Sequence, residues 1–479
     1  MIDKIVASVS DALYSYILII LLVAGGIYFT IRTKGAQFRL FGEQIRCVTE
    51  KPKDGKGVSS FQALMVSTAS RVGTGNIIGV STAICVGGFG SVFWMWIIAL
   101  IGGASALIES TLAQIYKKRG MDGNCYGGPA YYIEGAFKKR WLAIIFSVLL
   151  ILTYGVGFNM LASYNLQSTF SAYGFYNEKV TPWIIGAVVA LLVGYCLLGG
   201  GKRIIKITSF LVPVMGVAYV LIALLIIFIN VTVFPKIIVE IFTTAFDFKA
   251  IFGGLSGSCL MYGIKRGLYS NEAGVGSAPN ASASAQVVHP VKQGLVQVLS
   301  VFIDTVVICS ATAFMCMCSG VEATADMSGA KYIQACLSAV LGGFGPIFIT
   351  IAMILFAFTT LIGNLFYVDK AIIHIFKREP SVWVKRTYYV IASLVILLGA
   401  GLSADLLWNI ADILMGLMAL INMPVIIILG KYAFRAIKDY DKQRKQGVEP
   451  LFYAENISLP HEVDYWQKPT ACEQESENE

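Results

Sequence analysis

The sequence predicts an all-α polytopic membrane protein with eleven transmembrane helices: one extra N-terminal span followed by an inverted pair of five-span repeats. Three observations predict it. Of 479 residues, 56% are apolar and only 14% charged, with a mean hydropathy of +0.70, well outside the range of ordinary soluble domains. Crossing the hydrocarbon core takes about 20 apolar helical residues, because backbone polar groups must be satisfied internally, and eleven stretches meet that rule. Two of those stretches, five spans apart, are broken by glycines and polar residues.

Span one, 11–31, begins DALYSYILIILLVAGGIYFT; Arg32 and Lys34 follow the apolar run instead of leading it, so it reads as a retained span and not a signal peptide. Span two, 60–84, contains STASRVGTGNIIGVS at 67–81. Spans three to six follow at 90–116, 141–164, 182–200 and 206–231, completing a first repeat over 60–231. Span seven, 250–280, contains YGIKRGLYSNEAGVGSAP at 262–279 and opens a second repeat over 250–430, continued by spans at 290–318, 341–374, 386–403 and 407–430. The transmembrane domain is thus 1–431, and 432–479 is a polar cytoplasmic tail.

Loop charge sets the orientation. Arg32, Lys34, Arg39, Arg46, Lys51, Lys53 and Lys56 follow span one; Lys117, Lys118, Arg119, Lys138, Lys139 and Arg140 follow span three. Lys202, Arg203 and Lys206 follow span five, Lys377, Arg378, Lys385 and Arg386 follow span nine, and Lys431, Arg435 and Lys438 open the tail. The intervening loops carry little beyond Lys179, Lys236, Lys249 and Lys331. Eleven spans in a plasma membrane, N-terminus outside and C-terminus inside, fit this pattern. The net charge of +8 is explained by anchoring near anionic lipid, and nothing points to nucleic acid. The ten cysteines are scattered apolar packing residues, and His289, His374 and His461 are too far apart for a zinc constellation.

The two interruptions carry the chemistry. Gly73, Gly75 and Gly79 miss the dinucleotide fingerprint by one residue and lack both a strand and an acidic partner, which argues against a nucleotide loop. Gly75 and Gly79 suit a helix-packing seam, but that does not account for Arg71 and Asn76 at mid-span, where an arginine costs about 2.5–3.5 kcal/mol. Nor does it account for the counterpart in span seven, with Gly263, Gly267, Gly274 and Gly276 among Lys265, Arg266, Asn271 and Glu272. Because five is odd, the second repeat runs inverted, and paired interruptions at equivalent points mark a transporter with a midplane site. An opened helix frees amides that hold a carboxylate and carbonyls that hold an ammonium group or Na+, so a zwitterionic amino acid matches both ends.

The runs SRVGTGNIIGVSTAI (70–84), GFGSVFWMWIIALIGGASALIE (88–109), GLYSNEAGVGSAPNASASA (267–285), HPVKQGLVQVLSVFIDTVVICSATAF (289–314), FAFTTLIGN (356–364) and LLWNIADILMGLMALINMP (406–424) resemble the sodium:alanine/glycine symporter family. That family is similar in architecture to the LeuT-type transporters, which implies alternating access driven by Na+. The resemblance implies that the amides of Thr74 and Gly75, with Val72 and Gly73 beside them, take the substrate carboxylate, and that Asn76 coordinates a sodium ion. It implies a second sodium between the backbone of Ala69 and Val72, the Phe356 carbonyl, and the hydroxyls of Thr359 and Thr360; hard oxygens of this kind suit a small alkali cation. Arg71 is counted with the substrate site as scaffold or inner gate.

Asn271 and Glu272 either meet substrate or stabilise freed backbone. Asp304 is a functional candidate by burial cost, with pairing to Arg71, Lys265 or Arg266 as the alternative. Glu109, near the cytoplasmic end of its span, is expected to be solvated or salt-bridged. Two positions depart from the family pattern: Asn364 stands where a tryptophan is common, and span four offers Asn165 or Gln167 for a polar pocket residue. Losing an indole and gaining an amide predicts a substrate larger or more polar than alanine, such as serine, asparagine or glutamine. The leading expectation is Na+-coupled uptake of a small neutral amino acid without an organic cofactor. A proton-coupled carrier is the nearest alternative. An enzyme would need a catalytic cluster that is missing from the sequence, and a passive channel would not need a paired broken-helix site.

Overall fold

The computed structural model describes residues 2–52, 57–120, 123–247, 258–459 and 463–467. Lys53, Lys56, Lys249, His461, the first residues of span seven (250–257) and the end of the tail lie outside them. Among the described residues, eight helices are long and apolar enough to cross a membrane: Ile5–Arg32, Gly90–Ile115, Arg140–Ala172, Gly200–Ile229, Pro290–Met317, Phe344–Phe376, Val382–Ala400 and Ala404–Lys445. Each coincides with one predicted span. The other three predicted spans are shorter for identifiable reasons. Thr181–Leu197 has 17 residues, and spans two and seven are the interrupted ones.

The two interrupted spans begin alike. Ser59 caps the helix Ser60–Arg71 by accepting from the Gln62 amide while the Gln62 side chain accepts from the Ser59 amide; Ser258 caps Cys259–Asn271 by accepting from the Met261 amide. Such caps satisfy donors that the first turn leaves free. The first helix stops at Arg71 and resumes at Gly75 in a wide turn, Gly75–Gly79, leading into Val80–Gly87. The second stops at Asn271; Glu272, Gly274 and Gly276 then adopt left-handed backbone before a short turn at Pro279–Ser282. At Gly276 a side chain would also meet Pro129, Asn422 and Phe146, so only glycine fits both the conformation and the space.

The polar tail differs from its expected outline. The last helix continues past residue 431 to Lys445, because Tyr432, Ala433, Ala436, Ile437 and Tyr440 keep an apolar face buried. Beyond it the chain folds back over the bundle end. The Phe452 amide donates to the Val288 carbonyl, and Trp466 Nε1 donates to the Gln114 carbonyl at 2.7 Å. Lys117 Nζ stands 3.8 Å from the Tyr465 ring centroid. Trp466, packed edge-on against Phe452, ties this tail to the third span. Trp466→Ala is expected to cost about 3 kcal/mol, in line with large-to-small changes at buried aromatics, and to lower the unfolding temperature of detergent-solubilised protein.

Candidate functional site

The interruptions meet each other at the centre of the bundle. Asn76 closes the first one: its Oδ1 accepts from the Gly73 amide at 2.8 Å. Its Nδ2 donates to Asp304 Oδ1 at 2.7 Å and to Ser270 Oγ at 2.9 Å. Ser270 in turn donates to Asp304 Oδ2 at 2.5 Å, and Thr305 Oγ1 donates to the same oxygen at 2.9 Å. All four residues are fully or almost fully buried. The amide orientation of Asn76 follows from its neighbours, since a backbone N–H can only donate and a carboxylate only accepts. Asp304 therefore pairs with none of Arg71, Lys265 and Arg266. The last two clasp Asp412, with Nζ and Nη2 at 3.1 and 3.3 Å from Asp412 Oδ2, and Arg266 also stacks over Trp408 at 4.0 Å.

Thr360 Oγ1 crosses from its own helix to the Ala69 carbonyl at 3.1 Å, and a side chain on Gly73 would collide with that hydroxyl. Thr359 bonds back to the Leu355 and Phe356 carbonyls at 2.9 and 3.1 Å. The structure therefore brings Thr360 to Ala69, with Gly73 beside them, whereas the Thr359 hydroxyl is engaged within its own helix. The Val72 amide closes the last turn on the Thr68 carbonyl.

The residues expected around substrate are held by different partners. Thr74 Oγ1 accepts from Asn165 Nδ2 at 3.0 Å. Gly75 lies against the ring of Tyr269, which packs between Phe158 and Trp408 with centroids 4.6 and 4.8 Å away. Ser70 Oγ links the first interrupted helix to the second and to the helix Phe344–Phe376, lying 2.6 Å from Asn364 Oδ1 and 3.3 Å from Glu272 Oε1. Glu272 Oε2 also accepts from Ser277 at 2.5 Å, and Asn364 Nδ2 donates to Asn159 at 2.9 Å. Asn271 Oδ1 accepts from the Ala273 amide, a local turn contact. Arg71 donates to the Gln297 side chain at 3.0 Å. Gln167 is engaged by the Tyr176 hydroxyl instead. Among the described residues, Asn165 Oδ1 and Asn271 Nδ2 are buried without a hydrogen-bond partner.

Glu109 is not solvated, and it has no salt bridge among the described residues. It is fully buried, accepting from the Gly274 amide at 3.3 Å and from Asn422 Nδ2 at 2.9 Å, because the second interruption and the last helix cover it. Ser270, Ser70, Asn159, Asp412 and Asn422 complete these networks and were not singled out from sequence. The mid-span burial cost of Asp412, Asn159 and Asn422 was the available signal; the serines had none.

A cavity of about 480 Å³ approaches the first interruption through Asn165, the partner of Thr74, and is also lined by Ile78, Tyr164, Trp408, Asp326, Lys331 and Asp405. A bundle of apolar helices, two of them opened at facing points around a buried polar centre that a cavity approaches, defines a membrane transport protein and not an enzyme. The sequence profile described as the sodium:alanine symporter family matches residues 1–454, and the chain belongs to that family. It is 43% identical over 460 residues to the amino-acid carrier protein AlsT of Bacillus subtilis, covering 96% of each chain. It is 41% identical over 467 residues to the probable sodium/glutamine symporter GlnT of the same organism, covering 97% of this chain and 96% of that one. It is 40% identical over 488 residues to the putative sodium/proton-dependent alanine carrier YrbD, also of Bacillus subtilis, covering 98% and 99%.

Proposed function

We propose that this protein couples Na+ influx to uptake of a small neutral amino acid by alternating access, through a LeuT-type arrangement of eleven spans: an extra N-terminal span and two inverted repeats of five. The observation that carries this reading is the junction of the two interruptions at Asn76, Ser270 and Asp304, which gathers a carboxylate, hydroxyls and an amide in a buried centre. On this reading that centre holds one Na+, with Asn76 turning its oxygen inward when the ion arrives. A second Na+ lies among Ala69, Val72, Phe356, Thr359 and Thr360. The substrate carboxylate meets the amides of Thr74 and Gly75, beside Val72 and Gly73 whose own amides are held by the Thr68 carbonyl and Asn76, and Arg71 braces the opened helix from behind. With the N-terminus outside, the cavity beside Asn165 and Trp408 opens outward, and the tail around Trp466 covers the cytoplasmic end.

The free polar atoms of Asn165 and Asn271 favour a polar side chain on the substrate, because unpaired buried donors and acceptors cost binding energy unless the ligand satisfies them. Serine, asparagine and glutamine supply such groups, with Asn364 and Glu272 as further lining. Proton coupling is the second reading, favoured by Asp304 itself, a buried carboxylate with no ion-pair partner among the described residues.

Purified protein in proteoliposomes tests both. Replacing external Na+ by choline at fixed pH is expected to reduce uptake more than about tenfold, a difference of about 1.4 kcal/mol in coupling. Uptake that survives choline and collapses with a protonophore would overturn Na+ coupling. In the same assay, competition by the twenty common amino acids is expected to rank serine, asparagine or glutamine with or above alanine; competition by alanine and glycine alone would remove the polar-substrate reading.

A further inference from the structure

A second cavity, of about 600 Å³, lies at the other end of the bundle: the helix Arg140–Ala172 starts at this one and ends at the first. Six cations line it: Lys118, Arg119, Lys138, Arg140, Lys377 and Arg378. Its carboxylates, Glu134 and Glu379, are already engaged. Glu134 faces Lys377, Arg140 and His374 at 3.1, 3.7 and 2.9 Å, and Glu379 faces Lys385 at 2.5 Å and accepts from the Tyr126 hydroxyl at 3.0 Å. Lys118 looks toward Asp464 at 3.5 Å, whereas Lys138 and Arg378 have no carboxylate partner among the described residues.

Two of these cations sit where glycine is usual. The helices Pro129–Phe137 and Phe344–Phe376 both end on a lysine in left-handed backbone, Lys138 at φ 56° and Lys377 at φ 57°. A glycine would adopt that conformation without a Cβ penalty, so lysine at both ends favours charge at the cavity over ease of turning. The flanks carry a third sign. Trp141, next to Arg140, is 60% exposed and Trp383, close after Arg378, is 76% exposed; exposed tryptophans on apolar helices mark the headgroup level of a bilayer.

We propose that this cavity binds a phosphate-bearing anion, supplied by an anionic phospholipid headgroup of the inner leaflet or by free phosphate. Several acceptor oxygens and a negative charge on one compact group match a cleft of converging ammonium and guanidinium donors. The ligand ties the connection before span four to the end of the helix that carries Thr359 and Thr360. Assignment to the inner leaflet rests on the orientation proposed above; the charge of the cavity does not.

Thermal unfolding of the full-length protein in neutral detergent tests it, with short-chain phosphatidylglycerol, phosphatidylcholine of the same chain length, and inorganic phosphate as probes. Phosphatidylglycerol is expected to raise the unfolding temperature by several degrees more than phosphatidylcholine. The double variant Lys138→Gln/Arg378→Gln is expected to lose that difference, and the charge-preserving Lys138→Arg/Arg378→Lys to keep it. If inorganic phosphate alone reproduces the whole shift, the source is the free anion. Equal shifts with both lipids, or a phosphatidylglycerol shift that the Gln variant retains, would overturn the site. Since the readout is unfolding and not uptake, failure here leaves the symport reading standing.

Discussion

Asp304→Asn is expected to raise the Na+ concentration needed for half-maximal uptake by about 10- to 100-fold, equivalent to about 1.4–2.8 kcal/mol and in the range of a hydrogen-bonded charge. The substitution isolates charge from shape. One carboxylate oxygen of Asp304 faces only the Asn76 amide, a donor, while the other faces the hydroxyls of Ser270 and Thr305. An asparagine can set its oxygen toward Asn76 and its NH₂ toward the hydroxyls, which rotate to accept. The network stays satisfied and the protein folds; what is lost is the negative charge available to a cation. Asp304→Ala, by contrast, leaves Asn76 without its acceptor and confounds coupling with stability. The measurement is initial uptake into proteoliposomes across a Na+ series at two pH values. Loss of pH dependence with unchanged Na+ dependence assigns the residue to protons; both unchanged would remove Asp304 from coupling.

How much of this site could be read in advance depended on whether the signal was local. The interruptions at 72–74 and 272–276 are legible because glycines and ionisable residues inside an apolar run contradict an uninterrupted helix, whatever the rest of the chain does. The eight long helices follow from the same hydropathy rule. Partner choice is another matter. Lys265 and Arg266 stood out as charges, yet Asp412, which holds them, is 146 residues from Arg266 in the chain, and a lone aspartate in span eleven does not advertise a partner in span seven. Glu109 lies a short linear distance from a span end, which does not measure its depth, because the second interruption folds over it. Ser270 is the sharpest omission: one serine in a helix is as often a small packing residue as a ligand, and only the packing of spans two, seven and eight makes it the bridge between Asn76 and Asp304. The buried aromatics of the tail, Phe452 and Trp466, were hidden by the polar composition around them.

Gly73→Ala is expected to abolish Na+-driven uptake while leaving the protein foldable, with Thr360 as the reason. A methyl group on Gly73 falls on Thr360 Oγ1 and close to its Cβ and methyl. Overpacking of this kind costs about 1–3 kcal/mol, and the strain relaxes where the structure is weakest. Here that is the single hydrogen bond from Thr360 to the Ala69 carbonyl, at 3.1 Å, because the backbone of the helix Phe344–Phe376 is held by its own ladder and by Gly363, which abuts the Ala69–Ser70 backbone too closely to shift. Moving the hydroxyl away from Ala69 separates two oxygens proposed to share an ion. Thr360 variants separate the two effects: Thr360→Ser keeps the oxygen and is expected to retain uptake, Thr360→Ala loses it, and in a Gly73→Ala background Thr360→Ser is expected to restore little, because it keeps the oxygen on which the new methyl falls. Full uptake by Thr360→Ala would show that this hydroxyl only ties the two helices together, and full rescue of Gly73→Ala by Thr360→Ser would trace the defect to the Thr360 methyl and not to its oxygen.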